Sequence, residues 1–203
     1  MELRGVCGVL LYFLLFGGIQ MIIIVEGIDR IGKSTLCKGL SERINLPIYK
    51  EEGVHEKSQE GNMRSQMALL GLCKTTKCNV IFDRLFTSEF VYGIIDRQNN
   101  EFRAKEIFWK ALNALTKIEN VVYIGMNPTD VVRSSKEHGK DLTRHKKMFE
   151  DANKLIEQYI GEVKGNFVRI NCVYSDIPSL IDEIENYVKE IGQWESLQPM
   201  KKK

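Results

Sequence analysis

Eight residues near the start of the chain, Gly27-Ile28-Asp29-Arg30-Ile31-Gly32-Lys33-Ser34, fit the spacing G-x-x-x-x-G-K-S/T and narrow the possible folds more than any other feature. The spacing carries meaning only between a strand and a helix. Here an apolar, β-branched run ends at Val25 and a helix-forming stretch begins at Lys33, so both flanks fit. Glycines allow a tight turn, and successive backbone N–H groups then point at a phosphate. The start of the helix adds partial positive charge. Lys33 would reach the β- and γ-phosphates of a nucleotide, and Ser34 would offer its hydroxyl to a divalent ion. The segment Gly27, Ile28, Asp29, Arg30, Ile31, Gly32, Lys33, Ser34 and Thr35 is therefore the expected binding loop for ATP with Mg²⁺.

The rest of the chain alternates in the same way. Apolar runs at Met21–Val25, Leu46–Tyr49, Val80–Phe82, Val121–Ile124 and Phe167–Ile170 are short and do not alternate, as strands buried on both faces do. Helical stretches are expected at Lys33–Ile44, Ser88–Arg97, Glu101–Ile118, Leu142–Val163 and Ile177–Ile191. Strand and helix in alternation predict an α/β fold, a three-layer sandwich with a five-stranded parallel sheet and helices on both faces. The third run ends in a carboxylate, Asp83, where a metal-facing acid belongs. Arg84 follows at the sheet's C-terminal edge, where ligands of open parallel sheets bind.

Composition excludes other classes. Lys and Arg number 29 against 27 Asp and Glu, so there is no polybasic surface of the kind nucleic acid requires. Five cysteines, at 7, 37, 73, 78 and 172, are odd in number and scattered, which fits a reducing compartment, the cytoplasm, rather than a disulfide framework. Cys73 and Cys78 have no second Cys/His pair to complete a zinc site. Val6 to Val25 is apolar almost throughout, but Ile22–Val25 belongs to the first strand, and a sheet strand cannot lie in lipid. Residues 1–20 are expected to be a hydrophobic extension that is dispensable or precedes a true start at Met21. A membrane-associated segment is the alternative.

Taken together, Glu26-Gly27-Ile28-Asp29-Arg30-Ile31-Gly32-Lys33-Ser34-Thr35 and Asp83-Arg84 with Ser88 and Tyr92 resemble the thymidylate kinases, in the style of divergent, virus-like deoxynucleotide kinases. The resemblance implies a domain over 21–192 with a lid at about 134–142, followed by a basic tail over 193–203. It implies phosphorylation of a deoxynucleoside monophosphate, dTMP to dTDP, by a homodimer acting on small nucleotides. Asp29 would contact the acceptor's sugar, Arg84 its phosphate, and Tyr92 would line the base pocket beside Ser88. Lys33, Arg30 and Arg84 would be catalytic, with Ser34 and Asp83 at the metal. In the lid, Arg133 would stack on adenine, and Lys136 and Lys140 would close over phosphates.

Two positions depart from the family. Its Arg-x-Pro after the second strand is replaced by Lys50-Glu51-Glu52-Gly53, so Lys50 is the expected substitute at the acceptor phosphate. An acid there is typical of deoxynucleoside kinases, so Glu51 or Glu52 keeps that rival open. Arg64 is the candidate for reading the base. A nucleotide switch is the remote alternative, since Asn153-Lys154 begins a guanine motif but lacks its Asp.

Overall fold

The computed structural model describes residues 20–50, 59–98, 100–128 and 142–191, with the backbone alone for 59–63. The extension up to residue 19, Glu51, Glu52, the lid cations Arg133, Lys136 and Lys140, and the tail lie outside the described residues. Five strands form one parallel sheet: β1 (Met21–Gly27), β2 (Ile48–Lys50), β3 (Asn79–Asp83), β4 (Val121–Met126) and β5 (Phe167–Cys172). Their order is β2-β3-β1-β4-β5. The chain runs outward from β1 to β2, returns to β3 beside β1, then crosses to β4 on the other side. The sheet therefore changes direction around β1, and the carboxyl ends of its central strands border the ligand crevice of such folds.

The helices are α1 (Lys33–Ile44), α2 (Gln59–Thr76), α3 (Phe86–Ile95), α4 (Glu101–Leu115), α5 (Thr143–Ile160) and α6 (Ile177–Glu190), with a 3₁₀ turn at Tyr174–Asp176. α1 packs against α6, while α2, α3, α4 and α5 pack on one another, giving a helical layer on each face. Every residue of Met21–Val25 is fully buried. This central strand is apolar throughout because both its faces are covered. Each isoleucine so buried contributes roughly 1.5–3 kcal/mol.

The architecture is the one expected, and the differences lie at element ends. β1 continues through Glu26 and Gly27, because Gly27 pairs with Met126. α3 starts at Phe86, ahead of the expected Ser88, because a remote carboxylate caps it. α2 spans Gln59–Thr76, a stretch whose sequence pattern marks no helix ends. No described helix is long and apolar enough to cross a membrane. The described cysteines, Cys37, Cys73, Cys78 and Cys172, are free and buried.

Candidate active site

The loop between β1 and α1 has two glycines whose backbone no other residue could replace without strain. Gly27 has φ 141°, and a Cβ there would sit 2.2 Å from the Met126 carbonyl oxygen. Gly32 has φ 97° and caps α1, its carbonyl accepting from Leu36 N–H at 3.0 Å. Lys33 opens the helix, is 5% exposed, and donates from Nζ to the Ile28 carbonyl across the loop. Burial lowers its ammonium to about 8, against the opposing pull of Asp83 and Glu26. A phosphate chain in the loop would supply the anionic partner this ammonium needs.

Next to Lys33, Ser34 Oγ donates to Asp83 Oδ2 at 2.7 Å. The pair, both expected at the metal, joins the first turn of α1 to the end of β3. Hydroxyl and carboxylate are both oxygen donors, the set that Mg²⁺ takes together with phosphate oxygens and water. Among the described residues no cluster of three His, Cys, Asp or Glu side chains forms a metal cage. A Mg²⁺ ion held mainly by nucleotide needs none. Lys50 lies on this same pair, its Nζ 3.2 Å from Asp83 Oδ2 and 3.3 Å from Ser34 Oγ.

The segment after β3 is built differently. Glu26, fully buried at the end of β1, accepts from the N–H groups of Leu85 at 2.9 Å, Thr87 at 3.0 Å and Ser88 at 3.2 Å, and from the Ser88 hydroxyl. It thus satisfies the free N–H groups at the start of α3, where no local side chain does. Burial pushes its carboxyl up to about 7, partly offset by the Ser88 hydrogen bond and the Arg84 charge. Arg84, at φ 79°, holds its guanidinium between the Asp29 carboxylate and Ser88 Oγ, the latter at 3.2 Å. It also lies 5.3 Å from the centre of the Tyr92 ring. The Tyr92 hydroxyl accepts from Asp29 N–H at 3.0 Å. Asp29, Ser88 and Tyr92 thus all meet Arg84, and Asp29 ties them to the phosphate loop.

Behind Tyr92 stands His145 on α5, ring centres 5.2 Å apart. His145 is 2% exposed, and its Nε2 lies 2.8 Å from Asp96 Oδ1. Arg30, at φ 58°, projects its exposed side chain from the loop, and Arg64 is exposed on α2.

Three residues of the site carry no role in the sequence reading. Glu26 is the helix cap just described. His145 backs the aromatic residue of the acceptor side. Tyr174, in the turn after β5, lies against Gly32, where a Cβ would come 2.4 Å from its ring. Tyr174 is 63% exposed beside the loop, a placement that only the fold shows and that no local sequence feature signals.

Strand order and loop define a P-loop α/β fold, a five-stranded parallel sheet covered by helices. No protein-family model and no curated protein matches the sequence. Among solved structures, the chain is similar to the YorR protein of Bacillus subtilis, determined in complex with phosphorylated GDP. That match has 19% identity over 85% of this chain and 98% of that one, with a TM-score of 0.53. It is also similar to thymidylate kinase from Candida albicans, at 12% identity over 90% and 95% of the two chains and a TM-score of 0.53. The deoxyadenosine kinase from M. mycoides with its products dCMP and dCDP bound matches at 18% identity over 84% and 100%, TM-score 0.50. At these identities the likeness is one of fold.

Proposed function

We propose that the chain transfers the γ-phosphoryl group of ATP to a deoxynucleoside monophosphate, with dTMP as the preferred acceptor. The observation that carries this reading is the Arg84 guanidinium, held by Asp29, Ser88 and Tyr92 beside the phosphate loop. An arginine so fixed suits an acceptor that already bears a phosphate. The solved neighbours include kinases named for a nucleotide and for a nucleoside acceptor, so the choice between them rests on the site.

In the transfer, an anionic oxygen of the acceptor phosphate forms a bond to the γ-phosphorus as the bond to the β,γ-bridging oxygen breaks. ADP leaves, and no proton needs to be removed by a base. Loop N–H groups and Lys33 hold the β- and γ-phosphates. Arg84 holds the acceptor phosphate, and Asp29 orients both Arg84 and the acceptor's sugar. Arg30 meets the charge that spreads over the transferring group, a role worth several powers of ten in rate where an arginine supplies it. Ser34 and Asp83 would hold Mg²⁺, which supplies further charge neutralisation at the β- and γ-oxygens. Tyr174 beside Gly32 would flank the adenine, and the lid residues Arg133, Lys136 and Lys140 would act as the resemblance implies. Homodimer formation and a cytoplasmic setting are proposed on that resemblance too.

A coupled ADP-release assay across dTMP, dUMP, dCMP, dGMP and thymidine tests the proposal. We expect dTMP to exceed thymidine by at least about tenfold in kcat/KM, because Arg84 would lack its anionic partner with the nucleoside. Faster turnover of thymidine would overturn the proposal and transfer the chemistry to Glu51 or Glu52 as a base.

A further inference from the structure

Lys50, expected at the acceptor phosphate, contacts Asp83 and Ser34. The parallel register pairs Lys50 directly with Asp83 on the neighbouring strand, so the sheet itself brings the two together. Its ammonium, Ser34 Oγ and Asp83 Oδ2 form a closed triangle with sides of 3.2, 3.3 and 2.7 Å. These are the oxygen atoms through which Ser34 and Asp83 would bind Mg²⁺. A lysine ammonium therefore occupies the metal's own donors.

We propose that Lys50 is a resident cation of this metal site, displaced by Mg²⁺ and then transferred to a phosphate oxygen of the nucleotide; the inference rests on the ATP-dependent reaction proposed above. A divalent ion and an ammonium cannot share one carboxylate oxygen at this range without strong repulsion. The lysine is the partner that yields. Asp83 is 3% exposed and fixed at the end of a buried strand, whereas the Lys50 side chain is 57% exposed on a flexible stem. Its compact charge with three donors can be re-aimed, as a planar guanidinium held on two oxygens cannot. The nearest new anion would be the phosphate chain lying on the loop next to Ser34. Lys50 thus keeps the Asp83 carboxylate neutralised before nucleotide arrives, and becomes a catalytic residue on the donor side once it touches phosphate. This differs from a standing position on the acceptor phosphate.

The test is the affinity of the full chain for a fluorescent ADP analogue, measured in EDTA and at stepped Mg²⁺ concentrations. Wild type, Lys50→Met and Lys50→Arg are compared. In Lys50→Met the Mg²⁺ concentration for half-maximal enhancement should fall by about tenfold, because the competing charge-assisted hydrogen bond is gone. At saturating Mg²⁺ the affinity of the same variant should fall by about three- to tenfold, because the phosphate has lost the transferred cation. Lys50→Arg, which keeps the charge but not the freely re-aimed donor, should need at least as much Mg²⁺ as wild type and recover only part of the affinity at saturating Mg²⁺. Unchanged Mg²⁺ dependence in Lys50→Met, with normal wild-type binding, overturns the inference alone and makes the contact a surface ion pair. Loss of dTMP affinity with unchanged ADP and Mg²⁺ behaviour also overturns it and returns Lys50 to the acceptor side. Absence of Mg²⁺-dependent ADP binding in wild type overturns both this inference and the proposed reaction.

Discussion

Two arginines sit at the same sheet edge in left-handed backbone conformations, Arg30 at φ 58° in the phosphate loop and Arg84 at φ 79° after β3. Their surroundings are unlike. Arg30 is exposed, on a loop whose working surface is backbone N–H groups and one buried lysine. Arg84 is half-buried and engaged by a carboxylate, a hydroxyl and an aromatic ring. A left-handed conformation at a bulky residue costs of order 1–3 kcal/mol and persists only where the surroundings impose it. At Arg84 the surroundings are visible: its N–H donates to Val25 O at 3.0 Å, locking the turn. In the proposed reaction the loop region would present backbone N–H groups to phosphate, while the β3 region holds a cation already organised by its neighbours.

The comparison predicts different kinetic signatures for the two arginines. Arg30→Ala should lower kcat by on the order of 10²–10³, with much less change in ATP affinity, because an exposed arginine gains most when the transferring group develops charge. Arg84→Ala should act mainly through the acceptor, raising its KM and leaving ATP affinity near wild type. Steady-state kinetics with each substrate varied at saturation of the other provides the check. Near-normal kcat in Arg30→Ala, with loss in Lys136→Ala or Lys140→Ala, would move the catalytic cation to the lid.

The contrast also explains what could be read from the sequence. The loop's determinants are contiguous, so Gly27 through Ser34 announced the end of the strand, the turn and the helix start together. The contact of Ser34 with Asp83 needs the fold to bring α1 and β3 together. The β3 region depends on residues that only the fold brings together. Glu26 caps a helix 59 to 62 residues away, and nothing near Phe86 signals that start. The position of Lys50 depends on sheet register, which three residues of β2 do not reveal on their own. α2 contains Gly61 and Gly71 and ends in Thr75-Thr76, all weak helix formers, and packing on α3 and α4 sets its extent. His145 looks like one more polar residue in Thr143–Lys147, until α5 places it behind Tyr92.

Glu26 links the two regions, and its ionisation can separate them. The carboxyl ionises near 4.5 when exposed and at about 7 in the folded protein, chiefly because it is buried. An acid raised on folding binds its proton more tightly in the native state. Its contribution to stability is therefore complete below about 4.5, declines as pH rises through that window, and is flat above about 7. The decline should be on the order of 3 kcal/mol. Glu26→Gln lacks this group, so the difference in urea unfolding free energy between wild type and variant should shift in the variant's favour by about 2–3 kcal/mol from pH 5 to pH 8. A difference independent of pH would mean that Glu26 is not held by burial, and that the cap on α3 is no costlier to ionise than a surface one.

The smallest expected effect tests whether the two regions are coupled at all. The Tyr92 hydroxyl, on α3, accepts from Asp29 N–H in the phosphate loop at 3.0 Å. Its ring meanwhile packs on Phe149, centres 6.0 Å apart, and on His145. Tyr92→Phe keeps the ring and removes the hydroxyl, which accepts from Asp29 N–H in the loop and from Arg84. The Asp29 N–H then loses its acceptor, at a cost of about 1 kcal/mol in stability. The kinetic consequence should fall on the acceptor, because Asp29 also holds Arg84. A loosened Asp29 should raise the acceptor KM a few-fold, roughly the factor that about 1 kcal/mol implies, and leave ATP affinity unchanged. Tyr92→Leu removes the ring as well, so its larger loss should appear in stability and in acceptor KM together. If Tyr92→Phe matches wild type in both while Tyr92→Leu does not, the tyrosine serves only as packing. The Asp29–Arg84 ion pair would then be what ties Asp29 to the β3 segment.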